Sequence, residues 1–436
     1  MQEYVALAVF GLVYVLLIGR RRFGIPIWTA MLIGASLMLV LQVITFEAAL
    51  ASINLEVIGF LFGMFTIVSS LDRAGVLQRI AIKMFAIAKT PERLLTVFVI
   101  GMGLLSAFLV NDTIALLGIP IAIHASKYTG IRLVVWLLAL AFGVTIGSIM
   151  TPIGNPQNLL IAIQSGIPAP FIAFLMHLAP PTLVSLFVTY SILRMYYKKE
   201  ISSKYNLSTS GDNITNTIEI SGKIERHYDA HLAKISIYVL IATITGFIIS
   251  DVLHVLKILD FSLSAVAMIG ATAIYAMSNQ RTQILKSVDY SVLVFFASLF
   301  VFTSALWSSG AISILFLNYI PTPDPNDLLQ STAVISATSI GISQVLNNIP
   351  FVALYNLVMI DNGFTGGQHV DQWVMLAAAS TIAGNLTILG AASTIIIIEG
   401  VESRGLRAFS FLEFFKVGSM ITAANIAIYY SFIVLI

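Results

Sequence analysis

The chain contains no cysteine among its 436 residues. Disulfides, thiolate metal sites and cysteine nucleophiles are therefore excluded, although this absence does not identify the redox compartment. Charge is scarce as well, since Asp, Glu, Lys and Arg make 10% of the residues, whereas a soluble domain carries about 25%. There is no basic cluster interleaved with aromatic residues, so the sequence does not indicate nucleic acid as a partner.

Patterns typical of enzymes are missing too. No HExxH, Walker or Ser/His/Asp pattern falls on a plausible site, so we expect a protein that is not an enzyme and has no cofactor. No Lys or Arg lies in the middle of any long apolar segment. An anionic substrate would therefore have to be held by helix N-termini, amide groups and co-bound cations rather than by a fixed positive side chain.

What the sequence does contain is apolar segments of the length that spans a bilayer. Hydrophobic residues make 58% of the chain, and most segments approach the ~20 residues of a membrane helix. These segments fall at about 4–19, 25–44, 56–71, 133–163, 171–195, 233–250, 263–278, 290–306, 372–398 and 409–435. The sequence predicts an all-α polytopic protein of the cell membrane, with the lipid bilayer as its surroundings.

Two longer apolar segments, 94–125 and 328–360, carry polar residues at their centres. If both are re-entrant hairpins, every Lys and Arg except Lys257 falls on one side of the membrane. The positive-inside rule then places both termini outside and the polar linker 198–231 in the cytoplasm. The linker divides the chain into membrane halves 1–197 and 232–436.

The two halves are related by an internal repeat. Asn347-Asn348 parallels Asn111-Asp112 at an offset of 236 residues, and Trp373 parallels Trp136 at an offset of 237. Under the topology above, the two copies face opposite ways. Inverted-topology repeats are typical of secondary transporters, whose sites lie near the midplane between the halves.

The centre of the first hairpin, about 94–125, holds Asn111, Asp112 and Thr113. A carboxylate at this depth is costly in hydrocarbon, so Asp112 should face water, an ion or another polar group. We therefore predict that Asp112 binds the coupling proton or sodium ion. The alternative is that Asp112 caps the second arm of the hairpin, since Asp is a favoured N-cap residue.

The segment 133–163 is interrupted by Pro152, Gly154 and Pro156, which predicts an unwound transmembrane helix. Unwinding exposes carbonyl groups to a cation, and the new helix N-terminus at Gln157 and Asn158 would offer free N–H groups to an anion. The candidate ligands here are Thr151, Gly154, Asn155, Gln157 and Asn158. The alternative is a packing kink whose asparagines bond to the backbone.

The second half repeats this arrangement with different chemistry. Its hairpin, about 328–360, carries Asn347 and Asn348, so the carboxylate of the first tip has an amide as its counterpart. Its broken helix, about 372–398, has no proline, and the break must depend on glycines and polar residues. The candidate ligands in this segment are Asn385, Thr387, Gly390, Ser393 and Thr394.

These motifs resemble the ion transporter superfamily over residues 57–436. That superfamily joins arsenite permeases, citrate permeases, sodium/proton antiporters of the same fold and sodium-dicarboxylate carriers. The motifs that carry the resemblance are Asn111-Asp112, Gly154–Asn158, Asn347–Pro350, Gly384–Thr387 and Gly390–Ser393. The Asn-Asp tip and the Gly-Asn-Leu-Thr run look most like the arsenite-permease branch, whereas the dicarboxylate branch carries Ser-Asn-Thr at both tips.

The resemblance implies two re-entrant hairpins, two unwound helices, and a homodimer in which a transport domain moves against a scaffold. It also implies two sites that could hold sodium. One is formed by Asn111 with the backbone around Gly154, and the other by Asn347 or Asn348 with the backbone around Gly390.

Together these observations predict a secondary active transporter, coupled to protons or sodium, that moves a small oxyanion or oxyacid by alternating access. A sodium/proton antiporter that uses Asp112 is the alternative within transporters. A channel would need a continuous polar pore, whereas the polar residues cluster at two breaks. An intramembrane enzyme would need a nucleophile–base pair or an HExxH motif.

Overall fold

The structure, a computed structural model, describes residues 2–88, 90–203, 228–259, 261–312, 314, 321–388 and 390–435, and these contain no strand. The helices of the first half are α1 (Gln2–Phe23), α2 (Ile27–Val40), α3 (Phe46–Ser52), α4 (Leu55–Arg73), α5 (Val76–Ile87), α6 (Pro91–Leu109), α7 (Asn111–Thr129), α8 (Leu133–Gly147), α9 (Pro156–Gln164), α10 (Pro170–Tyr196) and α11 (Lys198–Ser203).

The helices of the second half are α12 (Ala230–Val255), α13 (Leu263–Met277), α14 (Arg281–Ser287), α15 (Tyr290–Ser308), α16 (Leu328–Leu346), α17 (Asn348–Asp361), α18 (Val370–Ala383), α19 (Ala392–Glu402) and α20 (Phe411–Leu435). Seven of the described helices are long and apolar enough to cross a membrane. The all-α membrane fold predicted from the sequence is confirmed. Residues 204–227 of the predicted linker lie outside the described residues.

The second half repeats the order of elements found in the first. Apart from α5 and α11, which occur in the first half, each half has two long helices, a short helix, another long helix, a pair of helices joined by one residue, a helix that is interrupted by a break, and a final long helix. Even the caps match, because Asn54 and Asp289 occupy equivalent positions before α4 and α15. Their side chains accept from the N–H groups of Val57 and Ser291, each at 3.1 Å.

The helices pack as two bundles. The first contains α1–α4 with α12–α15, and in it α4 packs on α13 while α15 packs on α2. The second contains α6–α10 with α16–α20, and in it α6 packs on α8 and α16 on α18. Each bundle therefore combines helices from both halves of the chain. Between the bundles the main connections are α5, which contacts α4 and α6, and the pairs α10–α12, α15–α17 and α4–α9.

Polar contacts at the helix ends define one surface, which we call the Arg132 face. Arg132, which follows α7, pairs with Glu200 at 2.7 Å and with Glu413, at the start of α20, at 3.2 Å. Glu92, at the start of α6, lies 3.8 Å from Arg194 at the end of α10. Both ends of the α6–α7 hairpin thus lie at this face, as a re-entrant hairpin requires.

The opposite surface, the Asp371 face, gathers the other helix ends. His177 of α10 lies 3.7 Å from Asp371 at the start of α18. The Tyr430 hydroxyl, near the end of α20, donates to the Leu329 carbonyl at the start of α16 at 3.4 Å. The α16–α17 hairpin therefore enters from this face, opposite to the α6–α7 hairpin, and the two repeats are inverted.

Candidate functional site

Each hairpin reverses direction at a single residue. Val110 joins α6 to α7 with φ of 64°, and Asn347 joins α16 to α17 with φ of 65°. A positive φ is unfavourable for residues other than glycine and persists only where the surroundings enforce it. At the first tip, the Asn111 N–H donates to the Gly154 carbonyl at 2.8 Å. The first tip is therefore tied directly to the break that follows α8.

The first break spans residues 148–155 and is held by two asparagines. The Asn158 side-chain amide donates to the carbonyls of Ser148, Ile149 and Thr151 at 3.3, 3.1 and 3.1 Å. Asn155 Oδ1 accepts from the Asn158 N–H at 2.8 Å and caps α9. The N–H of Asn158, expected from the sequence to be free for an anion, is therefore occupied. These two asparagines therefore bond to the backbone of the break, as in the alternative of a packing kink.

One hydroxyl connects the two halves at the breaks. Thr381, in the last turn of α18, is fully buried. Its Oγ1 accepts from Asn155 Nδ2 at 3.3 Å and from Gln157 Nε2 at 3.2 Å, and lies 3.4 Å from Asn158 Oδ1. The first break is thus bonded to the helix that leads into the second break, so the two predicted sites are neighbours.

The second break comprises the described residues 384–388, 390 and 391 and is held by a glutamine of the second hairpin. Gln344 Nε2 donates to the Ala383 carbonyl at 2.9 Å, and the Thr387 hydroxyl donates to Gln344 Oε1 at 2.8 Å. Gly390 approaches the Ala383 carbonyl and Gly384 so closely that a Cβ would lie 3.0 Å from each. A larger residue at Gly390 would separate the two sides of the break.

Several buried polar atoms around the breaks have no hydrogen-bond partner among the described residues. They are Asn111 Oδ1, Asn348 Oδ1, both polar side-chain atoms of Asn385, Ser393 Oγ and Thr394 Oγ1. Each of these side chains is at most 5% exposed. Because a buried polar group without a partner is costly, these atoms indicate places where a ligand, an ion or water completes the structure.

A cavity of about 560 Å³ connects the two halves of the site. Its lining includes a residue of each tip, Asp112 and Asn347, and the first residue of each helix that follows a break, Pro156 and Ala392. The N-cap of α7 is Val110, with no side-chain cap, and Asp112 lies in the first turn. The capping alternative for Asp112 is therefore not the arrangement in the structure, which instead directs this carboxylate to the cavity.

Three carboxylates line the cavity. Asp112 is half-buried, whereas Asp289 at the start of α15 and Glu399 in α19 are exposed. The described residues of the lining include no Lys or Arg. Helix α19 starts at the second break and ends shortly before α20, which begins at the Arg132 face. The exposed Glu399 lies near that end of α19, so the cavity opens toward the Arg132 face.

Of the predicted ligands, only Asp112 and Asn347 are among the described lining residues of the cavity. The predicted ligands of the tips and breaks that are not among them are Asn111, Gly154, Asn155, Gln157, Asn158, Asn348, Asn385, Thr387, Gly390, Ser393 and Thr394. Two more, Thr113 and Thr151, are also outside the lining. Thr113 is half-buried in the first turn of α7 and is not among the lining residues. Thr151 is fully buried and its hydroxyl donates to the Ala107 carbonyl of α6. Thr151 therefore attaches the first break to the hairpin and has no free donor for a substrate.

Sequence reasoning missed three residues of the site, Thr381, Asp289 and Glu399. Glu399 stands near the end of a helix, where a solvated charge is ordinary, so its sequence position gave no signal. Thr381 lies within an apolar helix, where a threonine usually bonds to its own backbone, and no local signal reveals its contacts with the other half. Asp289 carried a signal, because it aligns with Asn54 in the repeat, and that alignment places a carboxylate where the first half has an amide.

The sequence was also compared with known protein families, proteins and solved structures. A family model described as citrate transporter matches residues 13–383. The chain belongs to the citrate transporter family. Relatives of this family member include an uncharacterized transporter, Rv2684, of Mycobacterium tuberculosis, 29% identical over 97% of this chain and 96% of that protein. The chain is thus a multi-pass membrane transporter.

Two other relatives carry names that refer to a solute or to a transporter type. The silicon efflux transporter LSI3 of Oryza sativa subsp. japonica is 27% identical over 90% of this chain and 87% of that protein. The putative transporter arsB of Dictyostelium discoideum is 23% identical over 93% and 86%. Among solved structures, the Alcanivorax borkumensis YdaH transporter, described as having an unusual topology, covers 89% of this chain and 87% of its own, with a TM-score of 0.52 and 12% identity. That likeness concerns the fold alone.

Proposed function

We propose that this citrate transporter family member is a cation-coupled secondary active transporter of a small oxyanion or oxyacid. The observation that carries the proposal is one cavity lined by residues of both hairpin tips and by the first residues of both helices that follow the breaks. Convergence of broken helices from two inverted repeats is the arrangement that secondary transporters use for substrate and coupling ion.

Helix N-termini would hold the oxygen atoms of the substrate. Helices α7, α17 and α19 begin at the tips or at the second break without a side-chain cap, and the positive end of each helix dipole favours negative charge. Buried polar atoms of Asn348, Ser393 and Thr394 have no hydrogen-bond partner within the described part of the chain and could add hydrogen bonds. Citrate is an oxygen-rich acid, and silicon is present in water as an oxyacid, so the names of the family and of one relative support this substrate class.

Asp112 would bind the coupling cation. It supplies the only carboxylate at either tip, since Asn348 stands at the matching position of the second hairpin. Proton binding would neutralise Asp112 directly, whereas sodium would also need amide and carbonyl oxygens nearby. The proposed sodium ligands are Asn111 and Gly154 in the first half, and Asn347 and Gly390 in the second.

The cavity opens at the Arg132 face, which the charge distribution assigns to the cytoplasm. In this proposal the structure is the inward-facing state, and movement of one bundle against the other exposes the site to the opposite side. The sparse connections between the bundles support such a movement. A homodimer, predicted from the resemblance, would hold the first bundle in place.

The test uses purified protein in proteoliposomes with a pH-sensitive dye inside. Arsenite, silicate, phosphate, sulfate and citrate are added in turn, with and without a sodium gradient. We expect proton or sodium movement only with one class of oxygen-rich solute. If no solute of the panel produces uptake or cation movement, and labelled solutes are not accumulated either, the proposal is wrong.

A sodium/proton antiporter is the second candidate, and the three carboxylates of the cavity favour it. An exchanger of two cations would use Asp112 for both ions in turn. In the same assay it would move protons in response to sodium alone, without any added solute. That outcome would replace the oxyacid proposal.

A further inference from the structure

A second concave site lies on the first bundle, and none of its described lining residues belongs to a tip or a break. It is a groove of about 410 Å³ between α12 and the end of α13. The residues of α12 that line it recur at helical spacing along one side of the helix: His231, Lys234, Ile235, Tyr238, Val239 and Ala242. Met277 of α13 closes the other wall.

The two ends of the groove differ, because one end is basic and the other is apolar. Lys234 and His231 lie at its first end, near the N-terminus of α12, and Val239 and Ala242 lie at the other. The residues between His231 and Ala242 span about 16 Å at the rise of an α-helix. That length is about half of the ~30 Å hydrocarbon core, which is the depth of one lipid leaflet.

The basic end of the groove lies at the Arg132 face, at the level of lipid headgroups. Asp251, near the other end of α12, accepts from the Ile172 N–H at the start of α10 at 2.8 Å, which places it at the Asp371 face. Two arginines outside the lining contact residues that neighbour the basic end in the chain. Arg79 lies 3.5 Å from the ring centroid of Tyr228, just before α12, and Arg281 follows α13, bonding to the Ser278 carbonyl.

The carboxylate near the basic end, Asp229, already accepts hydrogen bonds from other residues. Asp229 accepts from the N–H groups of His231 and Leu232, each at 3.0 Å, and from Gln280 Nε2 at 2.8 Å. Its carboxylate therefore caps α12. By contrast, Lys234 is exposed at the groove.

We propose that this groove binds an anionic phospholipid of the Arg132-face leaflet, with one acyl chain along the exposed side chains of Tyr238, Ala242 and Met277 and the phosphate beside Lys234 and His231. The apolar wall of a membrane-facing groove is filled by acyl chains, so the basic residues at its end decide which headgroup is preferred. Cations at headgroup level favour anionic lipids by about fivefold each. This inference does not depend on the transported substrate.

The experiment measures lipid retention by native mass spectrometry. The full-length protein is purified from mixed micelles that contain equal amounts of phosphatidylglycerol and phosphatidylcholine. We expect the wild type to retain phosphatidylglycerol severalfold over phosphatidylcholine. The double variant His231→Ala/Lys234→Ala should lose this preference, and Ala242→Trp should lose the bound lipid by filling the apolar end while the charges remain.

Lys257→Ala is the matched control, because it removes a lysine that follows the opposite end of the same helix, and it should retain phosphatidylglycerol as the wild type does. Equal retention of both lipids by the wild type, or an unchanged preference in the double variant, would overturn the proposal. Displacement of the lipid by soluble glycerol phosphate alone would also overturn it, since the site would then be one for free phosphate.

Discussion

Replacing Thr381 with valine removes the hydroxyl that joins the two breaks while keeping the shape of the side chain. Asn155 Nδ2 keeps another partner in the variant, because it also donates to the Ser148 carbonyl at 3.3 Å. Gln157 Nε2 and Asn158 Oδ1 have only the Thr381 hydroxyl as a described partner, at 3.2 and 3.4 Å. The expected cost is therefore that of two orphaned buried polar atoms, about 1–3 kcal/mol each.

Equilibrium unfolding in mixed micelles of mild detergent and dodecyl sulfate, followed by near-UV circular dichroism, measures this cost. Thr145→Val is the matched control. Thr145 is also buried in the last turns of its helix, but its hydroxyl donates only to the Ala141 carbonyl of the same helix at 2.8 Å. We expect the free energy of unfolding to fall clearly more for Thr381→Val than for Thr145→Val.

A double-mutant cycle with Gln157→Leu sharpens the prediction. If the cost at Thr381 comes from the stranded Gln157 amide, removing that amide as well should recover part of it, and the two changes should not be additive. Additive effects of the two substitutions, or equal costs for Thr381→Val and Thr145→Val, would refute the bridge between the breaks.

Two other regions allow direct tests. The chain has no native cysteine, so Ile172→Cys with Asp251→Cys adds the only thiols. Linking them across the two bundles with a short bifunctional thiol reagent should stop transport, and transport that continues at full rate would contradict movement at this contact. Gly418→Val should lower the yield and thermal stability of the folded protein, because a Cβ at Gly418 would overlap the Asn385 carbonyl of the second break; wild-type melting of this variant would contradict that packing.

Much of the architecture follows from local features of the sequence. Pro152 and Pro156 remove backbone donors and specify the first break, while Asn111-Asp112 and Asn347-Asn348 indicate the tips because polar pairs are costly at membrane depth. The repeat offset then relates the halves. These features depend on neighbours in the chain, so they are readable without the structure.

Contacts between the halves are not readable in the same way. Nothing near Thr381 in the sequence indicates that its hydroxyl meets Gln157, 224 residues away. The sequence also predicted that the N–H of Asn158 is free to bind an anion, whereas in the structure this N–H donates to Asn155 Oδ1, which caps α9. Both results depend on how separate helices are placed in three dimensions, and the same is true of the division into two bundles.

The central claim is that Asp112 couples cation binding to solute transport, and the most direct measurement compares two activities of Asp112→Asn in proteoliposomes. Solute counterflow needs no cation gradient, so a folded variant should keep it, whereas uptake driven by a proton or sodium gradient should be lost. Asp289→Asn and Glu399→Gln remove charges from the same cavity and should keep both activities. Gradient-driven accumulation at the wild-type level in folded Asp112→Asn would contradict the claim.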